Sequence, residues 1–218
     1  MHRTESPAGY RLAKAVLSGP LNSAYEIDVQ GERDLPDGPV IVAANHRSFM
    51  DSVILGLVVD RPISFLAKAE YFDKRRTAWL FRATGQIPIR RGSPAGAREA
   101  LDASREVLDS GGVVGVYPEG TRSRDGQLGR GHLGPARLAW ASGAPVVPVG
   151  LAGTEEIQPP ERLLPALGKE VQVRFGSARR IDQGRDRGTE LRAFTDRLMA
   201  DIAELCGQEY RYRLGAGA

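Results

Sequence analysis

Short apolar runs alternate along this chain with longer stretches whose apolar positions recur every three or four residues. Residues 40–44, 63–67, 86–89, 113–117, 145–151 and 171–175 are continuously apolar or alternate with period two, which is the signature of strands. Helical spacing predicts helices over 49–58, 71–83, 95–110, 133–142 and 188–206. The third of these stops at Gly111-Gly112, and the last carries an apolar stripe at Leu191, Phe194, Leu198, Ile202 and Leu205. Strands alternating with helices predict an α/β fold around one mainly parallel sheet. A weaker stripe over 10–21, with Leu12, Val16 and Leu17 around Lys14, is expected to end at Gly19-Pro20. A charged linker is expected over 183–188, and a frayed tail after Tyr212.

Composition narrows the class. At 218 residues, with 41% hydrophobic and 26% charged residues, the chain reads as one soluble domain with a sizeable core. Its only cysteine, Cys206, excludes an internal disulfide and a cysteine metal cluster. His2, His46 and His132 are not spaced as metal ligands, so no metal is expected. Arg3, Glu5, Arg11 and Lys14 interrupt any apolar leader, and no apolar run approaches the roughly 20 residues of a membrane span. A cytoplasmic protein, or one held peripherally at the inner face of the cell membrane, is expected. The net charge is +3 with arginine far outnumbering lysine, and the arginine fork suits phosphate oxygens.

Four segments carry candidate chemistry. Asn45-His46-Arg47-Ser48-Phe49-Met50-Asp51 follows the first strand and sets an imidazole and a carboxylate five residues apart. An imidazole can take and return a proton near neutrality, and a carboxylate can fix its tautomer. The same Ser48-to-Asp51 spacing also reads as a helix capping box, in which Asp51 only satisfies backbone donors. Gly85-Gln86-Ile87-Pro88-Ile89-Arg90-Arg91 ends a strand in two arginines, either a solvated end or an anion site. Tyr117-Pro118-Glu119-Gly120-Thr121-Arg122-Ser123 turns out of a buried strand. Its hydroxyls, N–H groups and Arg122 can hold a phosphate, or it is a loop with a surface ion pair. Ala144-Pro145-Val146-Val147-Pro148-Val149-Gly150 is an apolar strand, either core or the lining of an acyl groove.

In this order the four segments resemble the HxxxxD glycerolipid acyltransferase family that contains the 1-acylglycerol-3-phosphate acyltransferases. The resemblance covers residues 39 to 153. Its pattern is Asn-His-x4-Asp, then Gly-x-Ile-x-x-x-Arg, then Phe-Pro-Glu-Gly-Thr-Arg-Ser, then Val-Pro-Val. Tyr117 stands where phenylalanine is usual, Pro88 and Arg90 depart from the second block, and His132 lies near an expected lysine.

The resemblance implies a central, mainly parallel mixed sheet flanked by helices, of the glycerol-3-phosphate acyltransferase type. It also implies one acyltransferase domain over 1–218: an N-terminal segment 1–30 suited to membrane docking, a motif-bearing core 39–153, and a C-terminal helix and tail over 183–218. The implied reaction moves an acyl group from acyl-CoA or acyl-carrier protein to the hydroxyl of a 1-acylglycerol-3-phosphate. His46 is the implied base and Asp51 its partner. Arg91 and Arg122 would meet the phosphate, Glu119 would bond a glycerol hydroxyl or hold Arg122, and Gly120 and Thr121 would shape the pocket. Backbone N–H groups of the turn after the first strand are expected to stabilise the oxyanion. No cofactor is expected beyond the acyl thioester.

The expected partners are that donor, a lysophospholipid acceptor and an anionic membrane. Two segments are the candidate docking surfaces: the aromatic and basic stretch 71–82, and 10–21. Alternatives are another acceptor (glycerol-3-phosphate, another lysophospholipid, a glycolipid), thioester hydrolysis, or a non-catalytic module on anionic membrane. Aromatic–basic interleaving confined to one segment argues against nucleic acid. These motifs set neither an oligomeric state, nor a chain-length preference, nor a choice of donor.

Overall fold

The computed structural model describes residues 8–90, 92–159, 162, 164–184, 186–210 and 212. Seven strands form one sheet: β1 (Tyr25–Gln30), β2 (Val40–Ala44), β3 (Ile63–Lys68), β4 (Ile87–Ile89), β5 (Val113–Val116), β6 (Val146–Ala152) and β7 (Lys169–Phe175). Their order is β1-β7-β6-β2-β5-β3-β4. All neighbours are parallel except β6 and β7, so the sheet is mixed and mainly parallel, as the pattern predicts.

The centre of the sheet is apolar on both faces, because helices cover both. Every residue of β2 is buried. Ile41, Ala43, Val114, Val116 and Val146 pack under helices α5 (Pro94–Asp109), α6 (Gly134–Ser142) and α8 (Arg187–Cys206). Val40, Val42, Ala44, Val147 and Val149 face the other way, onto Ile54 and Leu55 of α2 (Met50–Val58). Val146, Val147 and Val149 are therefore core and not the wall of an acyl groove. The predicted stripe of α8 is buried at Leu191, Phe194, Leu198 and Ile202.

Three elements differ from expectation. Helix α1 (Ala8–Ala24) runs through Pro20 and leads directly into β1. The first turns are pinned by the Tyr10 hydroxyl, which donates to the Gly56 carbonyl at 3.2 Å, and by Lys14 Nζ on the Val59 carbonyl at 2.6 Å; beyond the proline Leu21 and Ala24 pack against the core. The helix expected over 71–83 is two helices, α3 (Glu70–Asp73) and α4 (Arg75–Ala83), because Lys74 is extended. Strand β1 and the short helix α7 (Thr154–Ile157) were not predicted.

Three neighbouring parallel strands, β5, β2 and β6, end on one edge. The residues that follow them come together there: Asn45-His46 after β2, Tyr117 to Glu119 after β5, and Gly153-Thr154 after β6. This is the edge where open α/β sheets build their sites.

Candidate active site

Asn45 ends β2 by acting as an extra rung of the sheet. Its Oδ1 accepts the Leu151 N–H at 2.8 Å, and its Nδ2 donates to the Leu151 carbonyl at 2.9 Å. The second Nδ2 proton goes to Gln208 Oε1 at 2.7 Å. The next four residues turn towards α2 and carry the histidine.

His46 Nδ1 lies 2.7 Å from Asp51 Oδ2, and Asp51 is fully buried. The same oxygen accepts the N–H groups of Arg47 at 2.8 Å and Ser48 at 2.9 Å. Asp51 thus does more than satisfy backbone donors: it holds the N–H groups of the turn that precedes α2 and the imidazole on one oxygen. A buried carboxylate with these donors is an acceptor, so it assigns the proton to Nδ1 and the free lone pair to Nε2. Ser48 Oγ accepts the Met50 N–H at 3.1 Å and donates to the Gln158 carbonyl at 2.8 Å.

The imidazole plane is set by Tyr117, whose ring stacks on it at a centroid distance of 3.9 Å and 11°. Phe65 lies parallel to Tyr117 at 5.8 Å. Gly115 makes room for it, since a Cβ there would sit 2.3 Å from the Phe65 ring. The Tyr117 hydroxyl and Ser52 Oγ are 2.7 Å apart. Burial, and then the charge of Asp51, push the Tyr117 phenol well above its ordinary range.

Glu119 corrects an expectation. It bonds neither Arg122 nor an open pocket: it is 7% exposed, with Oε1 on the His46 N–H and Oε2 on the Gly129 N–H, each at 2.9 Å. Burial raises its carboxyl, and these N–H groups pull it back. The Ser123 N–H returns to the His46 carbonyl at 2.7 Å. The oxyanion expectation also changes. The N–H groups of His46, Arg47 and Ser48 are spent on Glu119 and Asp51, so this turn holds the dyad together instead of offering those three donors to an intermediate.

Gly120 and Thr121 are exposed and Arg122 is half-buried on the same loop. Gly120 has φ +70, and a Cβ there would meet His132 Nε2 at 3.3 Å. Arg122 makes no hydrogen bond or ion pair among the described residues, and its guanidinium is available to an anion. Arg91 lies outside the described residues.

Several contributors were not read from the sequence. Thr154 Oγ1 donates to Asp51 Oδ1 at 2.5 Å and is fully buried. Arg47 pairs with Glu155. Gln208 ties Asn45 to the Gly126 carbonyl, the latter at 2.8 Å. The available signal was position: Thr154 follows a buried parallel strand on the edge that carries His46. Among the described residues no cluster of histidine, cysteine and carboxylates could hold a metal.

A sequence model of the Acyltransferase family matches residues 26–152. A chloroplastic 1-acyl-sn-glycerol-3-phosphate acyltransferase of Brassica napus is 32% identical over 195 residues, covering 88% of this chain and 54% of its own length. A lyso-ornithine lipid O-acyltransferase of Pseudomonas aeruginosa is 32% identical over 161 residues, covering 70% and 60%. The chain spans about half the length of the plant relatives it matches. The crystal structure of the 1-acyl-sn-glycerophosphate acyltransferase of Thermotoga maritima superposes with a TM-score of 0.67 over 92% of this chain and 84% of that one. At 24% identity it shows a shared fold.

Proposed function

The chain belongs to the Acyltransferase family, and on that premise we propose that it acylates the free hydroxyl of a 1-acylglycerol-3-phosphate to give phosphatidate. The observation that carries this reading is the 2.7 Å contact between His46 Nδ1 and a fully buried Asp51. With Nδ1 committed, Nε2 is the base. It takes the proton of the acceptor hydroxyl as that oxygen attacks the thioester carbonyl. The tetrahedral intermediate collapses, the C–S bond breaks, and the imidazolium returns the proton to the leaving thiolate. The donor is acyl-CoA or acyl-carrier protein, and no other cofactor enters the balance.

Arg122 would meet the acceptor phosphate through its planar fork. Gly120 and Thr121 form the open side of that loop. The substrate is a bilayer lipid, and two neighbouring helices suit a membrane face. Leu12 and Val16 of α1 and Trp79 and Leu80 of α4 are exposed, beside exposed Arg75, Arg76 and Arg82. A peripheral position at the inner face of the cell membrane fits this surface. No helix among the described residues is long and apolar enough to cross a membrane.

A second acceptor is favoured by one observation, the similarity to a lyso-ornithine lipid O-acyltransferase. The test is CoA release from a long-chain acyl-CoA with lysophosphatidate, lyso-ornithine lipid, glycerol-3-phosphate or no acceptor, for the native chain and His46→Ala. Release that depends on lysophosphatidate and disappears in the variant supports the proposal. Release without acceptor indicates a hydrolase, and full activity of His46→Ala refutes the base.

A further inference from the structure

Asp51 has four donors, and one of them comes from outside every motif. Three lie in its own turn: His46 Nδ1, Arg47 N–H and Ser48 N–H, all on Oδ2. The fourth is the Thr154 hydroxyl, 2.5 Å from Oδ1. We propose that Thr154 is a positioning residue for the reaction: its hydroxyl fixes the Asp51 carboxylate in the rotation that keeps Oδ2 on His46. The proposal rests on the reading of His46 as base.

The segment that delivers this hydroxyl is firmly placed. Strand β6 ends at Ala152, and the chain turns at Gly153 with φ +89. A side chain there would lie 2.1 Å from the Glu170 carbonyl oxygen, so the turn needs glycine. Thr154 and Ile157 of α7 are fully buried. Gln158 accepts the Ser48 hydroxyl, and Glu155 pairs with Arg47. The segment from Thr154 to Gln158 thus grips the histidine-bearing turn at three residues: Arg47, Ser48 and, through its carboxylate, Asp51.

A carboxylate rotates about a soft torsion, and donors on one oxygen alone leave that torsion loose. Thr154 supplies the opposing anchor on Oδ1. Without it a buried carboxylate oxygen has no partner, a costly state that the group relieves by turning or by taking a proton. Either response weakens its hold on the imidazole tautomer, as removal of an orienting carboxylate does in other dyads and triads.

Thr154→Val keeps the shape and removes the donor, and Thr154→Ser keeps the donor. The expected result is a fall in kcat of about tenfold or more for Thr154→Val with KM for acceptor within about twofold, and near-native kinetics for Thr154→Ser. A second readout needs no turnover: the NMR titration of the His46 ring. A turned or protonated Asp51 stabilises the imidazolium less, so the His46 midpoint in Thr154→Val moves downward and returns to native in Thr154→Ser. If the native chain acylates none of the acceptors, the functional reading fails while the titration still tests Thr154. Native kcat and an unmoved midpoint in Thr154→Val overturn the proposal, even if the melting temperature drops. Should the valine variant not fold, Thr154→Ala carries the same expectations.

Discussion

The carboxylate of Glu119 accepts the backbone N–H of His46 at 2.9 Å. The candidate base therefore sits on main chain that the loop after β5 grips from both sides, since the Ser123 N–H returns to the His46 carbonyl. Glu119 spans the loop as well, holding the Gly129 N–H with its other oxygen. Both of its carboxylate oxygens are thereby engaged with the main chain around the imidazole.

Glu119→Gln tests this. An amide offers one acceptor oxygen, and its NH2 then faces one of the two N–H donors. The expected cost is about 1–3 kcal/mol of stability, as for other buried hydrogen bonds to charged groups. A fall in kcat of about ten- to a hundredfold, with KM little changed, should accompany it. The pH dependence has a definite sign. A carboxyl raised above its unfolded value binds protons more readily in the folded state. Its stabilising contribution is present below the unfolded value and fades as pH rises through the folded one. The melting-temperature gap between native and Glu119→Gln should therefore widen as pH falls from 7 towards the carboxylate range. Thermal scans across that interval check it, and a gap that narrows contradicts the account.

What the sequence made legible follows from distance along the chain. His46 and Asp51 share one turn, so their pairing is local and their spacing exposes it. The central strands are apolar on both faces because both are covered, and they announce themselves as runs. Glu119 reads as a ligand until His46, a residue of another motif, is placed above it. Thr154 reads as nothing, because a hydroxyl in Gly153-Thr154-Glu155 acquires meaning only beside Asp51. Strand β1 does alternate, with Tyr25, Ile27 and Val29 against Glu26, Asp28 and Gln30. Six half-polar residues resemble loop until β7, from near the other end of the chain, pairs with them. Helix α1 crosses Pro20 because the turn beyond it, at Leu21 and Ala24, packs against the core and outweighs local propensity.

Tyr117 separates stacking from hydrogen bonding. Tyr117→Phe keeps the ring over His46 and loses the contact with Ser52, so it should cost about 1 kcal/mol and leave kcat within about threefold. Tyr117→Ala removes the ring. Truncation of a packed aromatic costs about 3–5 kcal/mol, and the freed imidazole should lose about tenfold or more in kcat. Urea unfolding and steady-state kinetics of the two variants check both parts. Equal kcat for phenylalanine and alanine would show that the stack does not position the base.

Arg122 should act on binding. Its guanidinium has no partner among the described residues, whereas Nδ1 of His46 is held by Asp51. Arg122→Ala is expected to raise KM for lysophosphatidate by about ten- to a hundredfold with kcat nearly unchanged, the loss of a charge-assisted contact made equally in ground and transition states. Arg122→Lys keeps the charge without the fork and should recover only part of the loss. An acceptor lacking phosphate should be indifferent to both changes. If KM for lysophosphatidate does not move, the phosphate lies elsewhere.

Cys206 reports on the end of the chain behind the site. It is 8% exposed, and burial pushes its thiol up to about 11. Its Sγ lies 3.4 Å from Oε1 of Gln208, the residue that bridges Asn45 and the Gly126 carbonyl. The thiolate is the reactive form, so a raised and covered thiol should be inert. At pH 8 a thiol reagent should label the native protein at least about a hundredfold more slowly than the urea-unfolded chain, through rare local opening. Gln208→Ala removes the bridge and should speed labelling several-fold while leaving Cys206 and the helix before it in place. A labelling rate unchanged in Gln208→Ala would mean that the bridge does not limit opening there. Native labelling as fast as the unfolded chain would mean that the segment is not closed over the thiol at all.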